Sequence, residues 1–375
     1  LREAGIDIPI FVGGAALTEK FTVNKIEPAY KNNIVIYSRD AMTALADLNK
    51  MTDEKKFEEF KEHLQKRREL VTIKDAKKLE QLKVKPTVSD IKDADGTFDF
   101  SKVELPKYDF EKIYKPQTLN KQILTNIKAK DVFPFVNLQM LIGKHLGMKW
   151  IVNNLIEKQD PRTIKLYNEI LDIVENGDEY FDIKAIYKFF PARRKAGKRK
   201  DDFKIEILSD DLSTVLETFD FPRQKYGQYL SLNDYVSPEG IDYIGFFVAT
   251  AGEKSRLVSN ELKEKGEFYR GHIVNSVGLE LAEATSEYIH KMMRQDVGII
   301  DKDITLNEIL SAQYQGNRYS FGYPACPDLS DQRKLFNLLK PERYGISLTE
   351  EFMMYPEATV SAIVFSQPFC KYFNM

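Results

Sequence analysis

Two folds in series are predicted by this sequence: βα units of a doubly wound α/β domain, then a larger α+β domain with a mixed or antiparallel sheet and helices. Three observations predict them. Near the start, Ile8-Pro-Ile-Phe-Val12 runs into Gly13-Gly14 and then Thr18-Glu19, the strand, glycine turn and helix start of a doubly wound unit. Later, Ile186-Tyr-Lys-Phe-Phe190 and Phe203-Lys-Ile-Glu-Ile207 read as strands, the second with clean alternation. Asp242 to Gly252 is a near-continuous apolar run, as expected of a central buried strand. Between the two regions, 71–92 is Lys-rich, carries Pro86 and lacks apolar periodicity, which marks a linker. The predicted divisions are 1–72, 73–95 and 96–375.

Composition narrows the function. A length of 375 residues suits two domains, or one and part of another. Lys+Arg 55 against Asp+Glu 57 leaves a formal net charge of -2, which argues against a nucleic-acid partner. Two cysteines, Cys326 and Cys370, make no disulfide framework, so a reducing cytoplasmic compartment is expected. No apolar run approaches ~18 residues, so no membrane span is predicted.

Along the first region, Ile34-Val-Ile-Tyr37 is the next strand, with Asp40 as N-cap of a helix from Ala41 to Leu48. A charged helix follows from Thr52 to about Leu70, with Phe57, Phe60 and Leu64 on one face. Its Lys66-Arg67-Arg68 suits the negative end of the helix dipole and reads as a solvated face. In the second region, Thr118 to Ile127 can form a helix. Pro134 disfavours helix at Phe133 and puts Asp131 at a bend, where capping and ligand contact are both open. Phe135 to Trp150 reads as a mostly buried helix. Asp160-Pro161 caps another, with Ile164, Tyr167, Ile170, Leu171 and Val174 inward and a stop at Asn176-Gly177. Arg193 to Lys200 is a basic hairpin loop, either solvated or a docking patch. Asn275 to Arg294 is a long amphipathic helix on which Glu283, Glu287 and His290 fall together. That spacing could suggest a metal, but such a trio on an exposed face is read as solvated, and no metal is predicted. Pro356 to Ser366 gives the final strand.

Arg318-Tyr-Ser-Phe-Gly-Tyr-Pro-Ala-Cys-Pro327 is the most distinctive stretch. Gly322 permits a tight bend, and Pro324 and Pro327 fix φ around Ala325-Cys326. A rigid, non-helical loop is expected, with a guanidinium at one end and the Tyr323 phenol in the middle. Arg318 offers a planar fork of donors suited to a carboxylate or phosphate. A braced surface turn with an ordinary Arg explains the same residues.

The segment RxxxGYPACP resembles the substrate loop of the S-adenosylmethionine-binding activation domain of cobalamin-dependent methionine synthase, and DYIGFFVATAG is similar to a strand of that family. VGGAALTEKFTVNKIEPAY is similar to the end of its cobalamin-binding domain, where the family usually has a GGATTS-type stretch; here Ala16-Leu17 replaces the hydroxyl residues.

The resemblance implies that Arg318 takes the ligand's carboxylate and that Glu283 with Asp131 takes its cationic end. Tyr323 and Tyr372-Phe373 lie against adenosine, with Gly322 and Ala325 lining the loop. The family's Asp-Trp is here Asp131-Val132, and its Tyr-Tyr pair is Tyr372-Phe373. Gly13, Gly14, Ala15 and Ala41 would line the nucleotide tail of methylcobalamin. None of His63, His145, His272 or His290 stands in the family's D-x-H-x-x-G pattern, so the axial ligand is expected outside this chain. Zinc is expected only in the family's N-terminal homocysteine domain. The chain therefore reads as a C-terminal fragment of a methyltransferase that makes methionine from 5-methyltetrahydrofolate and homocysteine. By itself the fragment is expected to support reactivation rather than to make methionine. Implied partners are flavodoxin or a flavoprotein methionine synthase reductase, and the cobalamin domain of the same polypeptide. The alternative is a non-catalytic docking module for an electron-transfer protein.

Overall fold

In the computed structural model, β1 (Ile10–Gly13) and β2 (Val35–Ser38) pair in parallel, Ile10 opposite Val35 and Gly13 opposite Ser38. Parallel neighbours need a crossover, and a helical stretch over 19–30 supplies it, π-wound at Thr22–Ile26. The Thr18 hydroxyl accepts from the Phe21 amide at 3.2 Å, capping the predicted helix start. The residues described are 7–13, 17–30, 33–38, 41–52, 56–69, 98–148, 150–196, 203–301 and 304–374. Asp40 and the whole of the predicted linker lie outside them.

The chain divides into two units, Leu1–Phe98 and Asp99–Met375. In the first, helix 56–69 packs Phe60 and Leu64 on Ile36 of β2. Its basic end is not simply solvated. Arg67 pairs with Glu19, and Arg68 with Glu27 at 2.7 Å, which ties this helix to the crossover.

The second unit is built on one sheet. Its strands are β3 (Gln122–Leu124), β4 (Lys184–Ala196), β5 (Phe203–Leu208), β6 (Val215–Phe219), β7 (Asp242–Thr250), β8 (Asn317–Tyr319) and β11 (Thr359–Phe365), with β9 (Ser347–Leu348) and β10 (Met354–Tyr355) forming a separate short pair. The order is β6-β5-β4-β7-β11-β8, with β3 also on β4, and every pairing is antiparallel. Strand β7 is central, and successive residues feed opposite cores. Phe246 and Val248 join Phe190, Phe219, Phe365 and Phe336; Phe247 and Ala249 join Tyr187, Phe189, Ile289 and Met293. A strand covered on both faces has no polar positions to alternate, which accounts for its continuous apolar run. Each such burial contributes roughly 1.5–3 kcal/mol for the larger side chains. The helix Phe268–Asp296 covers one face, and Gln332–Leu339 helps cover the other.

Several local expectations are corrected. Thr118 to Ile127 holds no helix: Gln122 pairs with Tyr187 and Leu124 with Ala185, so the open edge of β4 captures the segment as a strand. Phe135 to Trp150 is not one helix either. A 3₁₀ turn at Phe133–Phe135 precedes a π-helix at Gln139–His145, and Gly147 at φ +79° ends it. Helix Pro161–Glu175 begins as predicted, Asp160 accepting from the Thr163 amide at 2.9 Å. Its buried face is Thr163, Leu166, Ile170, Ile173 and Val174, which leaves Leu171 exposed. In the basic stretch, Arg193 and Lys195 both pair with Glu206, and Arg194 donates to the carbonyls of Asp234 and Val236. Those three cations are committed inside the domain; 197–202 lie outside the described residues. No helix among the described residues is long and apolar enough to cross a membrane.

Candidate functional site

Strand β8 is an edge of three residues, with Arg318 opposite Val364 of β11. This pairing carries Arg318 to the flank of the long helix Phe268–Asp296. The loop that follows is rigid and non-helical, as its sequence predicts. Gly322, at φ +86°, donates its amide to the Cys326 carbonyl at 2.9 Å, and the Cys326 amide donates to the Tyr323 carbonyl at 3.0 Å. A Cβ at Gly322 would be strained by that φ and would meet Leu329 Cδ1 at 3.1 Å. Ala325 and Cys326 are buried in the aromatic core and anchor the loop, whereas Tyr323 is exposed.

Arg318 does not stand alone. Its Nη2 donates to Glu287 Oε1 at 2.7 Å and its Nη1 to the Tyr314 hydroxyl at 3.0 Å. Tyr314 in turn donates to Glu287 Oε2 at 3.3 Å. Burial opposes the Arg318 charge, but Glu287, Tyr314 and Glu283 outweigh it and raise the guanidinium pKa above its ordinary value. Glu283 lies one turn before Glu287 on the helix. Its pKa is raised by desolvation, opposed by Arg318 and reinforced by Glu280 and Glu287. Yet the residue is solvent-accessible. A carboxylate that is both accessible and desolvated sits in a recess.

The aromatic residues complete that recess. The Tyr323 phenol pKa is raised by burial and by Glu283; that of Tyr372 is raised by burial, Cys326 and Tyr323. Glu283 thus couples to both Arg318 and Tyr323, and Tyr323 to Tyr372, with Glu283, Tyr323 and Tyr372 all exposed. Tyr372 is half exposed and stacks on Tyr319, rings 6.0 Å apart at 10°. Phe373 turns inward instead, edge-on to Tyr235 in the core.

Asp131 is not at a bend. It lies in the short helix Ala129–Val132, and Phe133 itself is helical. It caps neither that helix nor the following turn and makes no ion pair with Arg318, although Val132 packs in the same core as Leu281 of the long helix. In the first unit, Gly13 ends β1, where a Cβ would lie 2.1 Å from the Ser38 carbonyl oxygen, so sheet packing alone demands glycine. Gly14 and Ala15 lie outside the described residues. Ala41 opens the helix that follows β2, beyond that strand's carboxyl end.

The trio Glu283, Glu287 and His290 needs correction in its surroundings. Only Glu283 faces solvent; Glu287 is 7% exposed and His290 is fully buried. The trio is therefore not a solvated face. Glu287 is engaged by Arg318, and no group among the described residues has the makings of a metal site. Glu287 and Tyr314 were not predicted as site residues; Glu287 stands four residues after Glu283 on the helix, whereas no local pattern marks Tyr314, which precedes a strand.

An antiparallel α+β domain with an acidic, aromatic recess closed by an arginine on an edge strand is the class defined here. Residues 126–375 match the family described as "Vitamin B12 dependent methionine synthase, activation domain", and the chain belongs to that family. Methionine synthase from Mycobacterium tuberculosis (strain ATCC 25618 / H37Rv) is 26% identical over 391 residues, covering 98% of this chain and 32% of that protein. Its counterpart from Mycobacterium leprae (strain TN) is 25% identical over 401 residues, with 98% and 32% covered. The chain thus spans about a third of the length of these relatives. The crystal structure of the MetH reactivation domain bound to AdoHcy shares the fold, with a TM-score of 0.62 and 24% identity over 76% of this chain and 87% of that one.

Proposed function

We propose that this chain binds S-adenosylmethionine in the recess between Arg318, Glu283, Tyr323 and Tyr372. There it supports reductive methylation of cob(II)alamin within a methionine synthase. The observation that carries this reading is the pairing of opposite charges in one opening: an arginine whose donors are only partly used, beside a desolvated but accessible carboxylate. S-adenosylmethionine needs that combination, an arginine for its carboxylate and an acid for its ammonium and sulfonium. Tyr323 and the exposed face of Tyr372 offer rings to adenosine, and Gly322 brings the backbone close. Asp131 is the second acid by family resemblance, and Ala325 and Phe373 support the lining from the core. The AdoHcy bound in the solved relative is in keeping with this ligand class.

The chemistry asks little of the side chains. The leaving thioether is neutral, so no general acid is needed, and the protein's part is positioning and exclusion of water. Cobalamin, when bound, supplies the cobalt that accepts the methyl group. Gly13 at the end of β1, and Ala41 after β2, stand at the carboxyl ends of parallel strands, where a doubly wound fold binds its ligand. With Gly14 and Ala15 they would hold the nucleotide tail. The cobalamin domain of the same polypeptide, and flavodoxin or a flavoprotein reductase, are the partners in this reading. A pure docking module is less favoured, because Arg193, Arg194 and Lys195 already have partners within the domain.

Calorimetric titration with S-adenosylmethionine tests the proposal. Saturable binding by the folded chain, weakened at least about 30-fold in Arg318→Ala, is expected from loss of a charge-assisted contact of ~1.5–3 kcal/mol and the disturbance it leaves behind. A folded wild-type chain that shows no binding would overturn it.

A further inference from the structure

The buried groups behind Arg318 have no part in the proposed contacts, yet they form a closed set. Glu287 is 7% exposed and its two oxygens serve different partners: Oε1 accepts from Arg318 Nη2 at 2.7 Å, Oε2 from Tyr314 at 3.3 Å. Tyr314 also accepts from Arg318 Nη1 at 3.0 Å, which closes a three-membered ring of hydrogen bonds. The Tyr314 ring is itself clamped. The Arg294 guanidinium lies over it at 3.9 Å, and His290 meets it edge-on at 5.1 Å. Arg294 is held by Asp301. His290 is fully buried, neither ring nitrogen has a hydrogen-bond partner, and burial beside Arg294 and Arg318 keeps the imidazole neutral.

We infer that Glu287 and Tyr314 are positioning residues that fix the Arg318 fork in one orientation for a ligand carboxylate, with Arg294 and His290 clamping Tyr314. The physical case is geometric. A free arginine samples many rotamers, and ordering a side chain at a binding event costs about 0.5–1.5 kcal/mol. Two bonds to two of the five guanidinium N–H groups remove that freedom in advance. They leave the remaining donors for an incoming carboxylate. The neutral histidine matters because a third cation between Arg294 and Arg318 would repel both. This inference rests on the proposed ligand and deepens it, since it concerns how one end of that ligand is read.

The test compares S-adenosylmethionine with its decarboxylated analogue in wild type, Tyr314→Phe, Arg318→Ala and the double variant, all by calorimetry. Tyr314→Phe keeps the ring and removes only the hydroxyl. Weakening of about tenfold is expected for S-adenosylmethionine, the scale of one lost hydrogen bond. The analogue's affinity should stay within about twofold, the scatter of independent sites. The double variant should bind no more weakly than Arg318→Ala, because the hydroxyl acts only through the arginine. Glu287→Gln, tested alongside, should show the same selectivity for the carboxylate and guards against misfolding of either single variant. Equal weakening for both ligands would mean a merely structural role and overturn the inference, as would an unchanged affinity for both. If wild type binds neither ligand, the ligand reading itself fails and the inference falls with it, an outcome distinct from the other two.

Discussion

Arg223 and Arg318 are both arginines paired with a largely buried carboxylate, and the contrast between them separates architecture from recognition. Arg223 meets Asp234 fork to fork through both terminal nitrogens, one bond at 2.6 Å, and adds a bond to the Tyr229 carbonyl at 2.9 Å; both side chains are 6% exposed. Arg318 gives only one nitrogen to Glu287 and one to Tyr314, and its side chain is 19% exposed. The first pair is saturated. The second keeps donors in reserve beside an additional, accessible carboxylate, Glu283. A closed ion pair specifies a fold, while an open one can exchange partners.

The comparison predicts opposite responses to substitution. Arg223→Ala strands Asp234 in the interior and is expected to cost about 3–5 kcal/mol of stability, read by denaturant unfolding. Ligand affinity of the remaining folded protein should not change. A stability loss below ~1 kcal/mol would show that the pair is not saturated in solution. Next in size, Phe373→Ala removes a ring from the aromatic core and is expected to cost about 3 kcal/mol. Tyr372→Ala, one residue earlier, should leave stability nearly intact and weaken S-adenosylmethionine binding instead. Similar effects from the two would undo the division between inward and outward rings.

Glu283 gives a smaller effect with a distinctive sign. Its folded pKa is raised above the ordinary value of 4.5, so the folded chain holds this proton more tightly than the unfolded chain. Between those two values, stability therefore falls as pH rises. Binding of a cationic ligand needs the anion, so affinity should rise across the same window. Glu283→Gln should remove both slopes and weaken binding about tenfold, which calorimetry and unfolding across that pH range would resolve. Smallest of all, Tyr372→Phe should shift affinity by less than about twofold, because stacking needs the ring and not the hydroxyl.

Legibility followed the physics of each element. Strands β5 and β7 were readable because one alternates and the other is buried on both faces, and each leaves a local pattern. The stretch 118–127 was misread because nothing local announces that β4 has a free edge at Ala185 to Tyr187 awaiting a partner. In the site, Arg318 and Glu283 were proposed from the motifs that carry them, and in the structure the two interact electrostatically. Glu287 and His290 were misplaced on a solvated face, since helical periodicity cannot reveal that Tyr314, in the segment beyond the helix, folds back over them. Tyr372 and Phe373 looked interchangeable in sequence. Only the aromatic core around Tyr235 tells them apart.

The long helix has a mechanical consequence. Its 29 residues make a rod about 43 Å long, and Glu280, Glu283, Glu287, His290 and Arg294 all ride on it. Their mutual spacings are set by a single rigid body and do not depend on any loop. Opposite them stand the Gly322 turn and the segment bearing Tyr372, neither of which belongs to a helix. The spacing of the acids is thus set within one helix, whereas the placement of the rings depends on how the loop and the terminal segment pack on the aromatic core.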